Sequence, residues 1–145
     1  MIAVQFPEPE FQTKTEGGKR YIFDSIRKSW LLLTGEEWVR QNFVRYLTSH
    51  LHYPVSFIAL EKEIRLNELK KRFDILVYNK DHQPWMLVEC KEPEVMLSEN
   101  VLQQVLRYNI SVPVQFMILT NGHSTIGWKK QDGALTLLDA LPAFE

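Results

Sequence analysis

Two apolar segments, residues 72–78 and 84–91, are separated by the polar stretch Asn79-Lys80-Asp81-His82-Gln83. Runs of this length and composition on either side of a polar turn read as a β-hairpin. A hairpin centred between Asp81 and His82 sets Asn79 opposite Pro84 and Asp74 opposite Glu89. Directly opposed residues have Cβ atoms roughly 4.5–5.5 Å apart. Two carboxylates that close repel, and one is pushed toward protonation unless a cation lies between them. Lys91, two residues beyond Glu89, points to the same face because strand side chains alternate. The end of this hairpin is therefore a candidate metal site. The bland alternatives are two unrelated, solvated strand ends, or a Glu89–Lys91 ion pair, which leaves Asp74 unexplained.

The same register sorts the rest of the hairpin. Leu76, Tyr78, Trp85 and Leu87 share the acidic face, while Phe73, Ile75, Val77, Met86, Val88 and Cys90 share the other. Both faces are apolar away from the charged end, as in central strands covered on both sides. Alternation turns the Cys90 side chain away from the acids, which favours core filler over nucleophile.

Around this hairpin the pattern is that of one domain over residues 20–145, preceded by a flexible or edge segment at 1–19. Residues 20–24 read as a short strand leading through Trp30-Leu31-Leu32-Leu33. Thr34 then opens a helix whose face carries Val39, Phe43, Tyr46, Leu47 and His50. Residues 55–66 read as a strand. Ser98 caps a second helix through Asn109, striped by Val101, Leu102, Val105 and Leu106. Residues 114–119 form a further strand, Asn121-Gly122 a tight turn, and residues 125–128 and 134–138 a closing hairpin. A helix between the third and fourth strands permits a parallel crossover. The fold class is thus α/β, a mixed β-sheet flanked by helices in the order α-β-β-β-α-β plus a C-terminal hairpin.

Composition excludes more than it selects. The 145 residues are 45% hydrophobic and 24% charged, ordinary for a globular chain. No apolar run approaches the roughly 18 residues of a membrane span, and the N-terminus lacks a secretory pattern. A single cysteine forms no intrachain disulfide, which fits a reducing, cytoplasmic setting. A net charge of −1 argues against a free-standing, tight nucleic-acid binder. Lys70-Lys71-Arg72, Lys129-Lys130, Arg40 and Arg45 read as solvated faces or as local contacts to nucleic acid. Neither a phosphate-binding loop nor a dinucleotide fingerprint is present, and the four histidines lack zinc-site spacing.

Asp74, Glu89-Cys90-Lys91, Gln104-Val105-Leu106-Arg107-Tyr108 and Thr120-Asn121-Gly122 together resemble the PD-(D/E)xK nuclease superfamily. More narrowly they resemble the nuclease-like domain at the N-terminus of type I restriction enzyme R subunits. Thr34-Gly35-Glu36-Glu37-Trp38-Val39-Arg40-Gln41 is similar to the opening of that domain's first helix, and Glu61 fits its acidic position on the first strand. The chain departs at Gly35, where relatives carry Pro, and at Phe73, where the superfamily name has Pro. The resemblance implies a restriction-endonuclease-like core and Mg²⁺-dependent hydrolysis of DNA, with Mn²⁺ able to substitute. Asp74, Glu89 and the main-chain carbonyl of Cys90 would hold the metal, and hard oxygen donors suit it. Lys91 would position or help deprotonate the attacking water.

Gln104 and Tyr108, four apart on one helix face, would support the site and contact the nucleic acid, unless Tyr108 is simply a half-buried rim residue. Glu37 would reach the metal, yet Thr34 and Glu37 also form a capping box. Glu61 either joins the acids or faces solvent. Alanine at Asp74 or Lys91 is expected to abolish cleavage with little change in melting temperature, and Glu37→Gln to be silent if Glu37 is only a cap. In relatives the domain is joined to a helicase-like motor, so DNA, a separately encoded motor or restriction-modification subunit, and a second copy of the chain are the expected partners. The alternative is a nucleic-acid or protein interaction module that keeps the fold without useful turnover.

Overall fold

A computed structural model describes residues 1–6, 11–66 and 68–145, in which two sheets and two helices are built. The smaller sheet is antiparallel, in the order β1 (Thr13–Glu16), β2 (Lys19–Asp24), β3 (Ser29–Leu32). The larger runs β4 (Ile58–Leu66), β5 (Leu69–Tyr78), β6 (Pro84–Cys90), β7 (Phe116–Thr120), β8 (Thr125–Gln131), β9 (Ala134–Leu137), in that spatial order. Helix α1 (Gly35–Arg45) precedes β4, and α2 (Glu99–Asn109) connects β6 to β7. Because α2 carries the chain back across the sheet, β6 and β7 are parallel while every other neighbouring pair is antiparallel. This is the expected order α-β-β-β-α-β with a C-terminal hairpin. Part of the expected loose N-terminal segment, residues 7–10, lies outside the described residues. Ile2 is buried, and its amide donates to the Thr125 carbonyl.

Helix α1 starts where its chemistry says it should. Thr34 Oγ1 accepts the Glu37 amide at 3.1 Å, and Glu36 and Glu37 lie at the positive end of the helix dipole. Val39, Phe43 and Leu47, at intervals of four, are fully buried against the sheet. They form a first core with Ile75, Val77, Met86, Val88, Cys90 and Ile118. Val105 of α2 closes a second core on the opposite face, with Leu76, Leu87, Met117 and Leu119. Each fully buried side chain of this size contributes about 1.5–3 kcal/mol, so the sheet is held from both sides.

Three details differ from the sequence reading. Residues 55–57 form a 3-10 turn rather than the start of a strand, closed by the Phe57 amide on the Pro54 carbonyl. The central hairpin keeps the expected pairs Ile75–Val88, Leu76–Leu87 and Val77–Met86, but Pro84 pairs with Tyr78 instead of Asn79. Trp85 is the extra residue of a bulge, which turns it into the first core beside Met86 and away from Leu76 and Leu87. The third departure lies at the acids. Leu60–Ile75 and Lys62–Phe73 are paired, yet Glu61 between them has φ +54° and makes no ladder pair with Asp74. Left-handed backbone inside a strand is costly for a residue with a side chain. Here it rotates the strand, so Phe73 joins the second core with Leu76 instead of the first with Ile75.

Candidate active site

Because alternation breaks at Asp74, its carboxylate turns to the α1 side of the sheet while Glu89 keeps the α2 side. Asp74 Oδ2 accepts the Cys90 amide at 2.7 Å, and Oδ1 accepts from Arg40 Nη2 at 3.1 Å. Glu89, Lys91, Arg72, Gln104, Tyr108 and Asn109 line one cleft between the hairpin and α2. The two acids still act on each other across the strand ends. Burial first, then the Asp74 charge, raises the Glu89 carboxyl from 4.5 to about 8, with Lys91 opposing. The Cys90 thiol faces the core and is raised well above its ordinary value by burial and then by Asp74. It is neutral packing, not a nucleophile.

Hydrogen bonds with the Thr120-Asn121 motif brace the segment that follows β6. After β6, the Lys91 amide donates to the Thr120 carbonyl at 2.8 Å. Asn121 Nδ2 donates to the Val95 carbonyl at 2.7 Å, while its Oδ1 accepts the His123 and Ser124 amides. One side chain therefore shapes the β7–β8 turn and ties down the loop following Lys91. On the far side, Lys71 donates to the Tyr108 carbonyl and lies 4.6 Å over the Tyr108 ring. Lys130 Nζ donates to the carbonyls of Ile110 at 3.0 Å and of Val112. Both ammonium groups meet the negative end of the α2 dipole. Lys71 and Lys130 are thus supports of the helix that presents Gln104 and Tyr108, both exposed.

Helix α1 brings a second set of acids. Arg40, expected on a solvated face, is 4% exposed and sits at their focus. Its Nη2 lies 3.1 Å from Glu36 Oε1, 2.6 Å from Glu61 Oε1 and 3.1 Å from Asp74 Oδ1. Carboxylate oxygens of Glu36, Glu61 and Asp74 all lie within 4.8 Å of one another, so these residues could hold a metal ion. Burial and then Asp74 push the Glu36 carboxyl up, with Arg40 opposing. Glu37 is placed otherwise. Its carboxylate accepts from Arg27 at 2.8 Å, Arg40 at 2.9 Å and Gln41 at 3.0 Å. Thr34 caps the helix, but the reciprocal half of a capping box is replaced by these ion pairs, because the Thr34 amide goes to the Leu32 carbonyl. The α1 glutamate among the acids is Glu36, which the motif comparison passed over. The available signal was Glu36 and Arg40 four apart on one helix face.

A metal fits this donor set on chemical grounds. All side-chain donors are carboxylate oxygens, the ligands hard divalent cations prefer. Burial first, and then the Asp74 charge, raises both Glu36 and Glu89, with Arg40 and Lys91 opposing.

A mixed sheet between two helices, with acids and a lysine at the ends of its central hairpin, defines the nuclease-like, restriction-endonuclease type of α/β protein. Residues 35–142 match the type I restriction enzyme R protein N terminus, and the chain belongs to that family. The small β1–β3 sheet precedes the matched region. Among solved structures, the chain is similar to a DUF820 protein from Anabaena variabilis provisionally classed as a nuclease. The two are 14% identical with a TM-score of 0.49, over 92% of this chain and 79% of that one. No curated protein matches the chain. No helix among the described residues is long and apolar enough to cross a membrane.

Proposed function

We propose that the protein hydrolyses phosphodiester bonds of DNA with a divalent cation, Mg²⁺ or Mn²⁺, held by Asp74, Glu89 and the main-chain carbonyl of Cys90. The observation that carries this reading is the gathering of acids at the end of the β5–β6 hairpin. Carboxylate oxygens of Asp74, Glu36 and Glu61 lie within 4.8 Å of one another, and burial, then the Asp74 charge, raises Glu89 to about 8. A cation there would polarise the scissile phosphate and lower the pKa of a bound water. Asp74 is oriented for this by the Cys90 amide. Lys91 places its ammonium in the same cleft, where it positions the attacking water and offsets charge developing on the phosphate. Gln104 and Tyr108 contact the strand from α2. Glu37 acts through Arg40 rather than touching the metal. DNA is the substrate class the family supports. A separately encoded motor or restriction-modification subunit, or a second copy of the chain for double-strand cutting, would complete the activity.

A second reading has its own support: Arg40 already forms ion pairs with Asp74, Glu36 and Glu61. With a net charge of −1, that arrangement also suits an interaction module without turnover. Titration calorimetry of Mg²⁺ and Mn²⁺ into wild type and Asp74→Ala, beside a plasmid-nicking assay, separates the two. Binding and nicking that both vanish in the variant support the nuclease. Absence of cation binding in the wild type supports the module. Binding without nicking points to a missing partner subunit.

A further inference from the structure

Arg40 is buried and faces four carboxylates drawn from three elements. Nη1 serves Glu37 of its own helix at 2.9 Å. Nη2 serves Glu36 of α1, Glu61 of β4 and Asp74 of β5 at 2.6–3.1 Å. That nitrogen has two hydrogens for three acceptors, whereas the buried Nε–H has no partner. Hydrogen-bond satisfaction alone would distribute the donors more evenly. The guanidinium is instead placed by charge, at the common focus of three acids. Burial works against its charge, but Glu37, Asp74 and Glu61 together outweigh burial.

We propose that Arg40 is a positioning residue that occupies the focus of Glu36, Glu61 and Asp74, and that the divalent cation of the Asp74–Glu89 site engages Asp74, with Glu36 and Glu61 as further donors, by exchange with this guanidinium. The inference rests on the metal-dependent reading of the site above. Held this way, the acids are pre-arranged without cation, and the cation must displace a buried charge to engage Asp74 fully. Glu37 gives the displaced guanidinium a second home, because its other oxygen is already paired with Arg27 and Gln41. Arg40 would thus set the cation concentration at which the site loads.

Exchange and simple support predict opposite signs. If Arg40 only holds the acids in place, removing it weakens cation binding; if it competes, removing it strengthens binding. Mn²⁺ affinity is to be measured by calorimetry, and Mn²⁺-dependent melting by fluorescence, on wild type, Arg40→Gln and Arg40→Lys. Arg40→Gln is expected to melt lower without cation and to bind Mn²⁺ roughly tenfold more tightly. Equal or weaker binding overturns the proposal. If Arg40→Gln stays unfolded at every Mn²⁺ concentration, Arg40→Lys decides. Its compact ammonium cannot fork across three elements, so tighter Mn²⁺ binding than wild type is expected, and equal or weaker binding again overturns the exchange. Nicking by wild type separates the two levels. Wild-type nicking with no affinity gain at Arg40 removes the exchange and leaves the nuclease. An affinity gain with no nicking keeps the exchange and points to a missing partner subunit for the cleavage step.

Discussion

Asp74 and Cys90 are joined across the β5–β6 hairpin by a bond from side chain to main chain, Asp74 Oδ2 accepting the Cys90 amide at 2.7 Å. The contact fixes one carboxylate oxygen without using the Cys90 side chain, which packs in the first core. It also shows why alanine at Asp74 is not silent for stability. Truncation strands the Cys90 amide of a residue 2% exposed and removes one acceptor from Arg40.

Asp74→Ala should therefore lose nicking and about 1–3 kcal/mol of stability, the cost of an unpaired buried polar group. Asp74→Asn keeps an oxygen for the Cys90 amide and should hold stability within about 1 kcal/mol while still losing nicking. Urea unfolding and plasmid nicking on both variants read the two effects apart. Nicking retained in Asp74→Asn would remove Asp74 from the site.

Glu89 links stability to pH. Its carboxyl titrates near 8 when folded and near 4.5 when unfolded. Between those values the folded state holds a proton that the unfolded state has released, so stability falls as pH rises. The contribution is complete below about 4.5 and gone above about 8. Melting temperature in EDTA should drop across this window for wild type, and Glu89→Gln should flatten that drop. Parallel curves for the two proteins would show that Glu89 is not the titrating group.

The order of elements and the central register were legible because they follow from local pattern: apolar alternation, a polar turn, and caps at Thr34 and Ser98. What the sequence hid depends on single backbone departures and on long-range contacts. Trp85 changed faces through a bulge at the hairpin end, and Phe73 through the left-handed Glu61 opposite Asp74. Neither position carries a glycine to announce it. Lys71 and Arg40 looked like solvated cations, since their partners lie 37 and 34 residues away at Tyr108 and Asp74. Glu36 was masked by its neighbour Glu37, which fits the family motif and the capping box equally well.

Glu36 and Glu37 should separate cleanly on mutation. Glu37→Gln removes the charge that two arginines share in a buried setting, so a loss of about 1–3 kcal/mol is expected rather than a silent exchange. Glu36 is 43% exposed at its side chain, and Glu36→Gln should change stability by about 0.5 kcal/mol or less. Its effect should instead appear as weaker Mn²⁺ binding in calorimetry. Unchanged Mn²⁺ affinity in Glu36→Gln would take Glu36 out of the cation site.

Lys71 tests whether α2 merely covers the sheet or also aims the cleft. Lys71→Met keeps the apolar stem but loses the donation to the Tyr108 carbonyl and the charge at the helix end. Together these should cost about 1–2 kcal/mol. Gln104 and Tyr108 ride on the same helix and line the cleft with Glu89 and Lys91. Nicking should therefore slow several-fold while Mn²⁺ affinity stays at the wild-type value, because Asp74 keeps its bonds to the Cys90 amide and Arg40. Lys130→Met, which releases the carbonyls just beyond the helix, should act in the same direction. Lost stability with full nicking in both variants would reduce α2 to a scaffold and leave the chemistry to the hairpin and α1.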